Sequence, residues 1–202
     1  MNFPKTAGQC KYMLALRSSK PIIIGTGPAG TGKTMLACNI ATEHILKHPR
    51  ARVVLTRPIV AADEDMGYLP GDMDQKMEPW TRPMYDIFEQ SMTHNQMDRC
   101  ICIEPLGYMR GRTFNHTLII ADEMQNSTPN QMKLLLTRLG EGTKIVVTGD
   151  LEQSDLEGDN GLENLVYKMQ CMELDYIKHV EMEDDDIVRH PAVKEVLGIL
   201  SK

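Results

Sequence analysis

Residues 21–34 read PIIIGTGPAGTGKT, an apolar run that opens into glycines and closes on a lysine and a threonine. From Gly27 through Pro28, Ala29, Gly30, Thr31 and Gly32 to Lys33 and Thr34, the segment fits G-x-x-x-x-G-K-[ST] without a mismatch. Glycines let the backbone turn several N–H groups toward one point, and the following helix adds its positive end, so the stretch suits a phosphate. Lys33 is expected to reach the β and γ phosphates of a nucleotide, and the Thr34 hydroxyl to ligate Mg²⁺. Kinases, GTPases, motors and helicases share such a loop. What the nucleotide is used for has to be read elsewhere.

Working outward, short apolar strands alternate with helical stretches. Strands are expected at 21–25, 51–56, 101–104, 117–122, 144–150 and 176–182, several rich in β-branched residues. Helices are expected from about 32 to 47, 83 to 92, 130 to 140, 162 to 170 and 191 to 200. Residues 57–92 are dense in Pro, Gly and acid and read as an insertion-like loop with short helices. The alternation implies an α/β fold, a mostly parallel central sheet covered on both faces in three αβα layers. The chain is expected to form one domain over 1–202, with 1–19 as an N-terminal segment. Ligands of such sheets sit outside the carboxyl ends of the strands. Three expected strands end there in useful chemistry: the glycine-rich loop, Asp122–Glu123 and Gly149–Asp150.

Composition bounds the function. With 202 residues, 42% of them hydrophobic and 25% charged, the chain can bury a sizeable core. No apolar run approaches membrane-spanning length, and MNFPKTAGQCKYMLALRSSK lacks the pattern of a signal peptide. The five cysteines are an odd number without a C-x-x-C pair, so neither a disulfide framework nor a zinc site is indicated. Cys100 and Cys102 read as buried thiols on one face of a strand. A reduced, cytoplasmic protein is expected. The net charge of −6 gives no general attraction to nucleic acid, which would need a local basic patch.

Asp122, at the end of LIIAD, can hold the Mg²⁺ shell while Glu123 polarises a water for attack on the γ phosphate. Gln153, three beyond Asp150, offers a neutral donor able to sense that phosphate. His44 and His48 lie one helical turn apart with no evident third ligand. The fifteen methionines scatter as core filler.

The segments IIADEMQNSTPNQMKLLLTRLG and VVTGDLEQSDL resemble the nucleotide core of the PhoH-like family. So do TRPIVAADEDMGYLPGDMDQKMEPWTRPMYD, GYMRGRT and DDIVRHPAV. The resemblance runs from about Lys5 to Leu197. It implies a RecA-like P-loop NTPase that binds ATP, similar to the first motor domain of superfamily 1 helicases, in a family partly linked with phosphate starvation. On that likeness Gln9 resembles a glutamine that reads adenine. Arg57, in Thr56–Arg57–Pro58, resembles a contact to a nucleic-acid backbone. Arg110 and Arg112 fit that role, a subunit interface or a structural salt bridge equally. Helicases of that class complete the site with an arginine from a second motor domain. The expected substitute is Arg189, or less readily Arg138, supplied in trans within a homo-oligomeric, hexameric ring.

Three readings follow. One is an ATPase moving or remodelling single-stranded RNA or DNA as a ring. Another is an ATP-dependent oligomerisation or binding switch with slow turnover. The third, a small-molecule kinase, is disfavoured by Glu123.

Overall fold

The computed structural model describes residues 4–48, 50–58, 82–156 and 158–189, with positions 192, 193, 196 and 199 beyond them. The order is α1 (Ala7–Arg17), β1 (Ile22–Thr26), α2 (Lys33–Lys47), β2 (Arg52–Thr56), α3 (82–88), α4 (His94–Cys100) and β3 (Ile101–Ile103). Then come β4 (Thr117–Ala121), α5 (Pro129–Leu136), β5 (Lys144–Gly149), α6 (Gly161–Met169) and β6 (Ile177–Glu181). Short 3₁₀ turns lie at Leu106–Met109, Met124–Asn126 and Asp184–Asp186.

The six strands form one sheet in the order β3-β2-β4-β5-β1-β6, every pair parallel. The alternation along each strand explains the layers. Ile23, Val53, Leu55, Ile120 and Val146 face one apolar cluster with Leu36 and Ala41 of α2 and Tyr12 and Leu16 of α1. Their neighbours Ile22, Ile24, Val54, Ile119 and Val147 face a second cluster with Leu135 of α5 and Leu162 of α6. A strand apolar on both faces needs cover on both, and β1 and β4 are buried at every position. Each fully enclosed Leu or Ile contributes about 1.5–3 kcal/mol by leaving water. The expected α/β architecture and all six strands hold.

The helix ends follow local chemistry. Thr128 and Gln131 form a capping box around Pro129, which starts α5. Asn160 Oδ1 accepts from Leu162 and Glu163 N–H to start α6. Several expectations are corrected. α5 stops at Leu136 rather than at Gly140, because Leu139 leaves the helix to bridge to Phe114. Cys100 closes α4 and is buried, while Cys102 lies on β3 and is exposed, so the two do not share a strand face. α1 and α4 add to the helices that the sequence pattern announces. The sequence TRPIVAADEDMGYLPGDMDQKMEPWTRP falls mostly, and the helix at 191–200 largely, outside the described residues. Among the described residues no helix is long and apolar enough to cross a membrane.

Tyr12 is fully enclosed under β1, and among the described residues its hydroxyl has no hydrogen-bond partner. A buried unpaired hydroxyl retains its desolvation cost. Tyr12→Phe is therefore expected to stabilise the fold by about 1 kcal/mol, a rise of roughly 2–4 °C in Tm for a chain of this size. Thermal and urea unfolding check it; a loss of stability would show that the hydroxyl is bonded.

Candidate active site

All strands being parallel, their carboxyl ends lie along one edge of the sheet. The loop after β1, Arg57 after β2, Asp122–Glu123 after β4 and Asp150 after β5 meet there around a cleft of about 380 Å³. Gln153 lines it as well, with Pro83, Met84 and Ile87 adding an apolar wall. β5 lies between β1 and β4, which separates the glycine-rich loop from the acid pair by one strand's width.

Gly27, Gly30 and Gly32 take positive φ of 132°, 88° and 85°. At Gly27 a Cβ would fall 2.1 Å from the Met182 carbonyl oxygen, so both conformation and space demand glycine. Lys33 Nζ donates to the carbonyls of Gly27 at 2.5 Å and Pro28 at 2.8 Å and to Thr31 Oγ1 at 3.3 Å. Burial pushes its ammonium below the ordinary lysine value, with Asp150, Glu123 and Asp122 acting against that shift. A desolvated cation held only by carbonyls and a hydroxyl gains strongly when a phosphate replaces them.

The Thr34 hydroxyl donates to Asp122 Oδ1 at 2.7 Å, and the Thr148 hydroxyl from β5 donates to the same oxygen. The donor set fits Mg²⁺, which takes few protein oxygens and completes its shell with phosphate and water. Thr34 and Asp122 would hold the ion there. Among the described residues no three His, Cys, Asp or Glu side chains are arranged to hold a metal ion by themselves, and the His44 and His48 rings lie with centroids 5.0 Å apart, tilted by 53°.

Glu123 departs from strand geometry, with φ 53° and ψ 38°, and is half-buried. A left-handed non-glycine residue costs of order 1–3 kcal/mol, a strain that clusters at functional sites. Its carboxylate accepts from Gln125 Nε2 at 2.6 Å. Sequence reasoning missed Gln125 and Thr148; the first stands two residues after the acid pair in ADEMQ, which is the only local signal.

The remaining expected residues lie as follows. Gln9 is fully enclosed, and its polar atoms are engaged by the chain: Nε2 donates to Thr31 O at 3.0 Å and Asp186 O at 3.5 Å, and Oε1 accepts from Lys5 N–H at 2.8 Å. It supports the loop from beneath. Arg189 Nη2 donates to Ala29 O at 3.0 Å within the same chain, and Val188 N–H to Gly30 O at 3.1 Å. A role in trans therefore requires that contact to break. Arg138 donates to the carbonyls of Leu134, Met109 and Arg112, binding the end of α5 to the 109–112 turn. Arg112 pairs with Glu104 and lies 4.7 Å over the Phe114 ring, the salt-bridge alternative. Arg110 is exposed on the same turn.

Of the acids in EMEDDD, Glu181, Glu183, Asp184 and Asp185 are exposed, whereas Asp186 is buried. Asp186 accepts from Gly8 N–H and Glu183 N–H, each at 3.0 Å, and so pins α1 to the segment lying against the loop.

A glycine-rich loop between a strand and a helix, facing an acid pair across a parallel sheet, defines a P-loop NTPase fold. The chain belongs to the PhoH-like family: residues 3–201 match the family described as PhoH-like protein. It is 42% identical over 204 residues to a PhoH-like protein of Bacillus subtilis, covering 98% of this chain and 63% of that one. Protein PhoH of Escherichia coli K12 is 42% identical over 159 residues, 75% of this chain and 45% of that protein. The chain thus spans less than two thirds of these relatives. Among solved structures, the Pif1 helicase of Candida albicans superposes with a TM-score of 0.51 at 18% identity, over 100% of this chain and 44% of that one. The large terminase of a thermophilic bacteriophage gives 0.54 at 14% identity, over 99% and 51%. At such identities these likenesses concern the fold.

Burial raises the Asp186 carboxyl, but hydrogen bonds from Thr6, Glu183 N–H and Gly8 N–H and the charge of Lys11 outweigh it, leaving it below the ordinary value. A carboxylate lowered on folding adds stability that is complete above its unfolded value, about 3.9, and is lost as pH falls through the folded one. Asp186→Asn is expected to lower stability at pH 7 and to shrink the further loss between about pH 5 and pH 2. Urea midpoints across that range check it; an unchanged acid slope contradicts it.

Proposed function

We propose that the chain is an ATPase that binds ATP with Mg²⁺ in this cleft and hydrolyses it to drive movement or remodelling of nucleic acid. The convergence of Lys33, Thr34, Asp122, Glu123, Asp150 and Gln153 on one cleft at the carboxyl edge of the sheet carries this reading. Lys33 exchanges the loop carbonyls for phosphate oxygens. Glu123 accepts a proton from, or orients, the attacking water. Mg²⁺, when bound, neutralises charge growing on the phosphate oxygens. Gln153, exposed on the loop after β5 and lining the cleft, registers the γ phosphate in this reading. Gln9 acts on the nucleotide through the loop it supports.

Arg57, which lines the cleft, is the residue of this reading that contacts a nucleic-acid backbone. Family membership and the fold shared with a helicase and a terminase support the part played by nucleic acid. The ring remains part of the proposal, with Arg189 completing a neighbour's site once it leaves its own loop.

The cis contact of Arg189 favours one alternative, an ATP-dependent switch with slow turnover in which nucleotide releases residues 187–189 for assembly. Steady-state hydrolysis with and without single-stranded RNA or DNA, beside native mass, separates the two. Stimulation supports the motor; indifference together with nucleotide-dependent assembly supports the switch.

Glu123→Gln is expected to retain ATP affinity and to lose turnover by about 10²-fold or more, since the loop and Asp122 remain intact. Hydrolysis at the unaltered rate removes Glu123 from the role of base.

A further inference from the structure

We propose that Gln125 is a positioning residue that aims the Glu123 carboxylate and makes it move with the tip of β5, a claim that rests on the reading of Glu123 as base. Gln125 lies in the 3₁₀ turn after the acid pair and is 2% exposed. Its amide spans two elements. Nε2 donates to Glu123 Oε2 at 2.6 Å, and Oε1 accepts from Asp150 N–H at 3.1 Å. The amide has only one orientation that satisfies both, because an ionised carboxylate only accepts and a backbone N–H only donates.

The surroundings are shaped for this bridge. Gly149 packs against it so closely that a Cβ there would stand 2.8 Å from Gln125 Oε1 and 2.5 Å from Leu162 Cδ2. The Ser154 hydroxyl donates to Gln125 O at 3.0 Å. Asn126 Nδ2 donates to Asp155 Oδ2 at 3.1 Å, and Asn126 Oδ1 accepts from Asp155 N–H at 2.9 Å. Residues 124–126 and 149–155 are thus laced together, and Gln153 lies within the second segment.

A glutamate otherwise ends in rotors that leave its carboxylate free to wander. The amide bond engages Oε2, and a water needs only Oε1. Displacement of Asp150 or Gln153 on loss of the γ phosphate is carried through one amide to the group that orients the water. The bridge therefore joins phosphate sensing to the catalytic carboxylate.

The test is a double-mutant cycle on the full chain, reading Mg·ATP single turnover, steady-state kcat and affinity for a fluorescent ATP analogue. Gln125→Met is expected to lower kcat by roughly 10- to 100-fold, the cost of a misplaced catalytic group, with affinity unchanged. In the Glu123→Gln background the same substitution is expected to alter the residual rate by less than about twofold, because a residue acting through Glu123 has nothing left to aim. Equal losses in both backgrounds, the signature of a merely structural role, overturn the proposal. Gln125→Glu keeps an acceptor for Asp150 N–H and replaces the donor to Glu123 by a second carboxylate, which repels it. It is expected to lose kcat similarly while remaining folded, and a wild-type kcat there also overturns the proposal. Should Glu123→Gln alone hydrolyse at the wild-type rate, the base assignment itself fails, a result distinct from a failure of the bridge.

Discussion

One carboxylate oxygen, Asp122 Oδ1, accepts from the hydroxyls of Thr34 on α2 and Thr148 on β5. It joins three pieces of chain that are distant in sequence: the helix after the glycine-rich loop, the end of β4 and the inserted strand β5. The Asp122 N–H, for its part, bonds to Thr56 O at the tip of β2 at 3.0 Å. Four elements are registered through one residue, and the cleft takes its shape from that registration. Parallel pairing makes this possible, because it brings every strand tip to the same edge.

Behind the loop a second set of bonds works from below. Gln9 holds Thr31, Asp186 holds Gly8, and residues 188 and 189 bond to Gly30 and Ala29. The Met182 N–H bonds to Thr26 O at 2.8 Å, continuing β6 onto the start of the loop. The loop is therefore gripped by the chain's N-terminal helix and by the segment after β6, while Lys33 folds onto loop carbonyls. Phosphate entry has to exchange the Lys33 bonds, and the backbone carbonyls so released are those beside the Arg189 contact. That proximity offers a direct physical route from nucleotide to the segment after β6.

Much of the fold was legible because it is local. The β-branched runs ending in acid or glycine announced parallel strands, and the Gly27–Thr34 pattern fixes loop, helix start and lysine within eight residues. α1 was not legible, since its buried face includes Gly8 and Gln9 and is completed by Asp186 from the far end of the chain. Gln125 was hidden for the same reason: its partner Asp150 lies 25 positions away. For the arginines the sequence left structural and phosphate-binding roles open. Arg112 and Arg138 have the chemistry of phosphate ligands but are consumed by Glu104 and by backbone carbonyls, contacts that only the packed turn at 105–114 creates.

A crystal structure of the chain with Mg²⁺ and a non-hydrolysable ATP analogue tests the role of the cleft most directly. The expected result has phosphates within the loop of residues 27–32, Lys33 Nζ moved from Gly27 O and Pro28 O onto phosphate oxygen, and an ion between Thr34 and Asp122. A nucleotide bound elsewhere, with Lys33 still on the loop carbonyls, would contradict it.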